Sequence, residues 1–186
     1  GYIAALTTAP AGLSGRANGV KAVSGGGDIT INNSGEIYAK GRTLALSVYA
    51  LANHDDITVN NDAAGSIDFF SASGRGWGVW TYAAEGDITV DNAGYIGGLS
   101  LNQAYGVLAQ APQGDITVDN SGTINVISAN STARGVMAVS GEGTASVSNS
   151  NGVSVTSGAA GFAGTAAFGL IASGAYADVS NSGTVT

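Results

Sequence analysis

Hydrophobic and polar positions alternate in short runs that recur along the whole chain. The run Asp28-Ile-Thr-Ile-Asn-Asn-Ser-Gly returns at residues 56–61, 87–94 and 115–122, and in weaker form at 146–152 and 178–183. One apolar anchor in each copy is 28, 31, 28, 29 or 32 residues from the next: Ile31, Val59, Val90, Val118, Val147 and Val179. Because a period of two is typical of strands, each run predicts a β-strand rather than a helix.

Two more apolar runs complete each repeat. One lies before the anchor and pairs a small residue with Val or Leu, as in Gly78-Val79 and Gly106-Val107. The other starts with Ile or Val just after the glycine that follows the anchor run, as at Ile96. Three strands in roughly 29 residues, with no helical stretch between them, predict one turn of a parallel β-solenoid. We therefore expect one all-β domain over residues 1–186, a parallel β-helix of about six coils with three strands per coil.

In such a coil each residue lies ~4.8 Å from its equivalent in the next coil, so equivalent residues form columns. The Val and Ile columns are expected to face inward. One Asn recurs in all six coils, and its stacked amides are expected to bond one another and the backbone as a structural ladder: Asn33, Asn61, Asn92, Asn120, Asn149 and Asn181. A following glycine is expected to supply positive φ at the corner: Gly35, Gly65, Gly94, Gly122, Gly152 and Gly183.

Alternation in the strand before the anchor predicts an outward apolar stripe. Its members are Tyr49, Leu51, Trp80, Tyr82, Leu108, Met137, Val139 and Ile171. A contiguous stripe of this kind usually marks an interaction surface. Three interpretations are open: contact with a second chain or another surface, cover by residues 72–78 or 158–169 of the same chain, and stacking of sugars on the aromatic rings.

Composition and charge narrow the function classes. Six basic residues against thirteen acidic ones give a net charge of -7, which argues against nucleic acid as a partner. Without cysteine, disulfides and thiolate metal sites are excluded. The chain has no apolar run long enough for a transmembrane helix and no recognisable signal peptide.

Polar columns offer weaker candidates for chemistry. The stacked carboxylates of Asp28, Asp56, Asp87 and Asp115 are interpreted as backbone partners at a turn, with calcium as the alternative. Ice binding is one interpretation of the threonine column Thr30, Thr58, Thr89 and Thr117, although the neighbouring columns carry acidic or amide side chains. The single histidine, His54, has no Ser or Cys partner in a recognisable motif. We expect no catalytic residue, cofactor or metal.

The phrase Gly-Asp-Ile-Thr-Val-Asp-Asn-Ser-Gly-Thr-Ile at residues 114–124, preceded by Tyr-Gly-Val-Leu-Ala at 105–109, resembles repeats in the passenger domains of Gram-negative autotransporters and haemagglutinin-like adhesins. This resemblance covers essentially the whole chain. It implies a right-handed β-helix at the bacterial cell surface, usually the stalk of an adhesin.

The expected function is that of an extracellular structural and adhesive module acting through an outer contact surface. A self-assembling fibre subunit and a carbohydrate-binding or carbohydrate-active β-helix are the alternatives. The expected partners are further copies of the chain, stacked laterally or end to end, or a receptor or glycan on a host or other cell surface. Neither end has an evident polar cap, so we expect the chain to be a fragment or a stacking unit.

Overall fold

The computed structural model describes residues 1–7, 15–158 and 166–186, which form strands and turns and no helix. No membrane-spanning helix is therefore present in this part of the chain. The first ten strands are β1 (Tyr2–Leu6), β2 (Arg16–Ser24), β3 (Ile29–Asn33), β4 (Glu36–Gly41), β5 (Leu44–Ala52), β6 (Ile57–Asn61), β7 (Ser66–Ser71), β8 (Arg75–Ala83), β9 (Ile88–Asn92) and β10 (Tyr95–Ser100). The others are β11 (Ala104–Ala111), β12 (Ile116–Asn120), β13 (Thr123–Ser128), β14 (Ala133–Ser140), β15 (Thr144–Asn149), β16 (Gly152–Ser157), β17 (Ala167–Ser173), β18 (Tyr176–Asn181) and β19 (Thr184–Val185).

The strands form three parallel sheets, and the chain visits them in rotation. Sheet A has the order β1-β4-β7-β10-β13-β16-β19, sheet B the order β2-β5-β8-β11-β14-β17, and sheet C the order β3-β6-β9-β12-β15-β18. Each strand therefore pairs with its equivalent one coil away. This arrangement confirms the predicted β-solenoid of about six coils with three strands per coil.

The core is a narrow stack of aliphatic side chains enclosed by the three sheets. Sheet B pairs Val48 with Val79, sheet C pairs Ile57 with Ile88, and equivalent pairs continue through the stack. The central members of these columns are completely buried. Each contributes roughly 1.5–3 kcal/mol by leaving water. The inward columns expected from the repeat are therefore confirmed.

The six equivalent asparagines form one continuous amide ladder beside this core. The Nδ2 group of Asn92 donates to Oδ1 of Asn120 at 2.6 Å, and Asn61 donates to Asn92 at 2.7 Å. The same bond links every successive pair from Asn33 to Asn181. Each amide also donates to a backbone carbonyl two to four residues ahead, as Asn92 does to Gly94 at 3.3 Å. The ladder therefore holds both the coil spacing and the turn after each strand of sheet C.

The glycines after the ladder do not have the positive φ that the sequence analysis assigned to them. Their absence of a side chain serves the close approach of neighbouring coils. A Cβ on Gly122 would lie 2.1 Å from the carbonyl oxygen of Gly94. The predicted glycine column is also wrong at Gly152. Gly152 pairs with Thr123, so Asn151 occupies the corner position that Gly122 has in the previous coil. The left-handed backbone occurs instead at Gly27, Gly98 and Gly158 within the described residues.

The ladder predicts the cost of removing one amide. Asn92→Ala leaves buried bonding groups of Asn61 and Asn120 without their partner, so the free energy of unfolding should fall by on the order of 2–3 kcal/mol. Urea unfolding measures the change. The exposed Asn53→Ala is the matched control and should stay within about 0.5 kcal/mol of the wild type. Equal midpoints for the two variants would show that the ladder adds no stability.

Candidate functional site

The outer face of sheet B carries the stripe predicted from the sequence. The register aligns Tyr49, Trp80 and Leu108 in one column, and Leu51 with Tyr82 in the next. Met137, Val139 and Ile171 continue these columns through β14 and β17. All eight predicted residues thus lie on one face. Their side chains are half-buried except for Leu108, which is 9% exposed.

A third outward column lies beside them, and the sequence analysis missed it. Its members are Asn18, Leu46, Trp77, Tyr105, Arg134 and Phe168. The cause is a bend in each strand of sheet B. In β8, Gly78 and Val79 are buried in succession, and the pairing register is interrupted at Gly78. A Cβ on Gly78 would lie 2.5 Å from the Ile96 side chain, so this position faces the core.

The bend brings Trp77 and Trp80 together although they are three residues apart in one strand. Their ring centroids are 5.7 Å apart and their planes differ by 23°. Trp80 also contacts Tyr49 at 5.0 Å, and Trp77 stacks on Tyr105 at 5.9 Å. The aromatic rings therefore form a continuous series across three coils.

Cations lie at both ends of this aromatic series. The Lys21 ammonium is 5.7 Å from the Tyr49 ring centroid. The Arg134 guanidinium lies 5.0 Å from the Tyr105 ring and 5.5 Å from that of Phe168, and it donates to the Tyr105 hydroxyl at 2.6 Å. Attraction between a cation and a ring face contributes about 0.5–1 kcal/mol at exposed positions. The face is thus ordered along its length by direct side-chain contacts.

Part of this face is well shielded from water. Leu46, Trp77 and Leu108 form a small buried cluster separate from the main core. The indole Nε1 of Trp80 donates to Gln110 at 3.2 Å, whereas the buried Nε1 of Trp77 and Nε of Arg134 have no acceptor within the described structure. Buried donors without partners are rare in folded proteins. These two donors lie beneath the surface of the face rather than on it.

The segments proposed to cover the stripe can be placed only in part. Residues 75–78 belong to β8 and contribute Trp77 to the face, so the segment 72–78 does not cover it. In the segment 158–169, residues 159–165 lie outside the described residues.

The aspartate column has a structural role at the corner before sheet C. Oδ1 of Asp56 accepts the backbone N–H of Asp87 at 2.8 Å, and Oδ1 of Asp87 accepts that of Asp115 at 2.8 Å. The series starts at Asp28 and ends at the N–H of Thr144. These carboxylates therefore accept from the backbone of the next coil, whereas the turn interpretation placed their partners in the local backbone. Among the described residues, no three His, Asp or Glu side chains are grouped as a metal site would need.

The outer face of sheet C is polar. The threonine column pairs in register from Thr30 to Thr117. Beside it, Asn60, Asp91 and Asp119 line a groove of about 360 Å³ with parts of the following corner. Burial raises the pKa of Asp91, and the neighbouring Asp119 charge raises it further.

A titratable cluster on sheet A was not expected. Gly97 leaves a gap in the outward column between Asp68 and Asn125, and the Tyr95 phenol lies over that gap. The half-buried Asp68 carboxylate accepts from the Ser66 hydroxyl at 2.6 Å. Burial raises the pKa of Asp68, and the Ser66 bond partly opposes this shift. Burial and then the Asp68 charge raise the pKa of Tyr95 as well.

His54 lies far from these groups in an exposed corner. Its Nδ1 atom is 2.8 Å from Oε2 of Glu85, and both side chains are more than half exposed. The hydrogen bond and charge of Glu85 raise the pKa of His54.

Comparison of the chain with models of protein families, with curated proteins and with solved structures gives no match.

Asp68 predicts a specific pH dependence. Burial raises the folded-state pKa of Asp68 above the unfolded value of about 4. Ionisation of Asp68 therefore lowers the free energy of unfolding, and this loss develops as pH rises from about 4 through the folded-state pKa. Asp68→Asn removes the ionisation while keeping an oxygen that accepts from Ser66. The stability of the variant relative to the wild type should therefore increase between about pH 4 and pH 7.

Urea unfolding at several pH values measures this difference. The exposed Asp178→Asn serves as the control for a simple loss of negative charge. A stability difference for Asp68→Asn that does not change with pH would contradict the assignment.

Proposed function

We propose that this chain is an extracellular structural and adhesive module, a rigid β-solenoid whose contact surface is the outer face of sheet B. The observation that carries the proposal is the aromatic and aliphatic stripe that runs from β5 to β17 on that face. The resemblance of the repeat sequence to surface-exposed passenger domains supports the proposed extracellular location.

Rigidity is the first requirement for such a role. Each strand between the ends of the stack is bonded to equivalents on both sides, and the Asn and Asp columns add side-chain bonds between coils. Aromatic stacking restrains the outer face in the same way. The contact groups are thus held in place before a partner arrives, which reduces the entropy lost on binding.

The chemistry of the face suits protein contact. Half-exposed tyrosine and tryptophan are the residues most enriched at binding hot spots, together with arginine. Tyr49, Trp80 and Tyr82 supply the aromatic surface, and Arg134 lies at its margin. This combination favours association with another folded surface.

Sugar stacking is less well supported by the geometry. A sugar ring packs on an open aromatic face, but Trp77 has Trp80 on one side and Tyr105 on the other. Tyr105 has Arg134 against its ring as well. The rings of Trp77 and Tyr105 are therefore already contacted within the chain, which favours protein association over carbohydrate stacking at these two positions.

The stripe predicts the effect of a double substitution. Trp80→Ser with Tyr49→Ser removes two half-exposed rings from the centre of the face. If the face mediates association, the average mass measured by light scattering should fall toward that of the monomer, with at least a tenfold loss of affinity, about 1.4 kcal/mol.

Tyr38→Ser with Phe70→Ser is the matched control, because these half-buried rings lie on the outer face of sheet A. Its scattering profile should equal that of the wild type. Circular dichroism verifies that both variants keep the β-fold. A folded Trp80/Tyr49 variant with an unchanged profile would refute the proposed contact surface.

A further inference from the structure

The charges of the chain are separated between two of its faces. All four basic residues located in sheet B or C strands belong to sheet B: Arg16, Lys21, Arg75 and Arg134. The remaining two, Lys40 and Arg42, lie at the end of β4 and in the corner that leads into β5. The six strands of sheet B contain no Asp or Glu. A cationic face is thus present on a protein whose net charge is -7.

Sheet C has the opposite character. Its strands contain no Lys or Arg, and Asp91, Asp119 and Asp178 lie in them. Asp91 and Asp119 are exposed neighbours in register on adjacent coils. The exposed aspartates of the bonded corner column extend this acidic surface along the start of the strands. The neighbouring carboxylates repel each other, so a cation that binds beside them would relieve this repulsion.

The two faces also share one repeat distance. Both belong to the same coils, so charges on either face are separated along the axis by multiples of ~4.8 Å. Arg16 and Arg75 occupy one column two coils apart, with Leu44 between them. Side-by-side copies can therefore align several cations of one face with carboxylates of the other. Pairing two sheet B faces would oppose cations, and pairing two sheet C faces would oppose carboxylates.

The area sets the strength of such a contact. Strands of five residues at ~3.3 Å, in six layers at ~4.8 Å, give the sheet C face a footprint of about 400 Å². Two such footprints total about 800 Å², below the size of most stable interfaces. A contact of this size is weak and depends on salt, and it strengthens when several coils engage together.

We propose that sheet B of one copy docks laterally against sheet C of a second copy. This inference rests on the proposed function and names the partner of its contact surface. The contact is heterologous, so a docked pair keeps one unused sheet C on the first copy and one unused sheet B on the second. Such an interface continues from copy to copy and forms a lateral array.

Charge reversal tests the pairing of the two faces. Lys21→Glu with Arg75→Glu reverses two of the four cations of sheet B, and Asp91→Lys with Asp119→Lys reverses two of the three carboxylates in the strands of sheet C. At low ionic strength, each variant alone should associate at least tenfold more weakly than the wild type. An equal mixture of the two should recover association, because the unaltered sheet B of the second variant then meets the unaltered sheet C of the first. Raising the salt concentration should dissociate both the wild type and the mixture.

Two controls separate this inference from the proposed function. Glu36→Lys reverses one exposed charge on sheet A and should leave association unchanged. Near-ultraviolet circular dichroism of the two tryptophans, which both lie in β8, reports whether each charge variant is folded. If the folded variants do not recover on mixing while Trp80→Ser with Tyr49→Ser still weakens association, the pairing of sheets B and C is wrong and the contact surface stands.

An acidic polysaccharide is the competing occupant of the cationic face. Dextran sulfate serves as the probe in an equilibrium binding experiment. Strong binding to the wild type that is lost in Lys21→Glu with Arg75→Glu, with no self-association of any variant, would overturn the proposal. The proposal also fails if the wild type is monomeric at millimolar concentration and low salt.

Discussion

Stacking of each coil on an equivalent coil, at the spacing of a parallel β-ladder, is the constraint on which the rest of the structure depends. Every side chain must tolerate the equivalent side chain of the next coil about 4.8 Å away. Val and Ile satisfy this inside by packing, and Asn satisfies it by donating to the next amide and accepting from the previous one. Aspartate satisfies it by binding the backbone of the next coil instead of facing another carboxylate directly. Aromatic rings satisfy it by stacking.

The same constraint creates distinct faces. Because columns run parallel to the axis, a preference for one residue type in one strand of the repeat becomes a continuous surface property of a whole sheet. Sheet B carries both tryptophans and four of the six cations, and sheet C carries hydroxyls, amides and carboxylates. A globular domain would disperse such positions over its surface. The solenoid turns a short repeat into an extended contact surface, which is the physical basis of the proposed function.

The sequence is sufficient to predict the strands, the columns and the ladder, because these depend on alternation and on repeat spacing. It is not sufficient for the bend at Gly78, where two successive residues face the core and Trp77 is brought beside Trp80. The small residue before each valine was the available signal, since a Cβ on Gly78 would collide with the Ile96 side chain. The prediction of positive φ at the corner glycines was wrong for a similar reason. These glycines allow close approach between coils, which is a tertiary property that the local sequence does not reveal. The Asp68 cluster likewise depends on the gap at Gly97, which only the register between coils defines.

Removal of one complete coil tests the stacking most directly. Deletion of residues 88–115 joins Asp87 to Ile116, which occupy the positions that Asp115 and Ile116 have in the parent chain. The account predicts a shortened protein that keeps its β-sheet circular dichroism and unfolds cooperatively in urea. Deletion of residues 88–101, half of that segment, should give an unfolded chain because the strands that follow can no longer meet their equivalents. Equal stability of the two deletions, or unfolding of the whole-coil deletion alone, would contradict the stacked architecture.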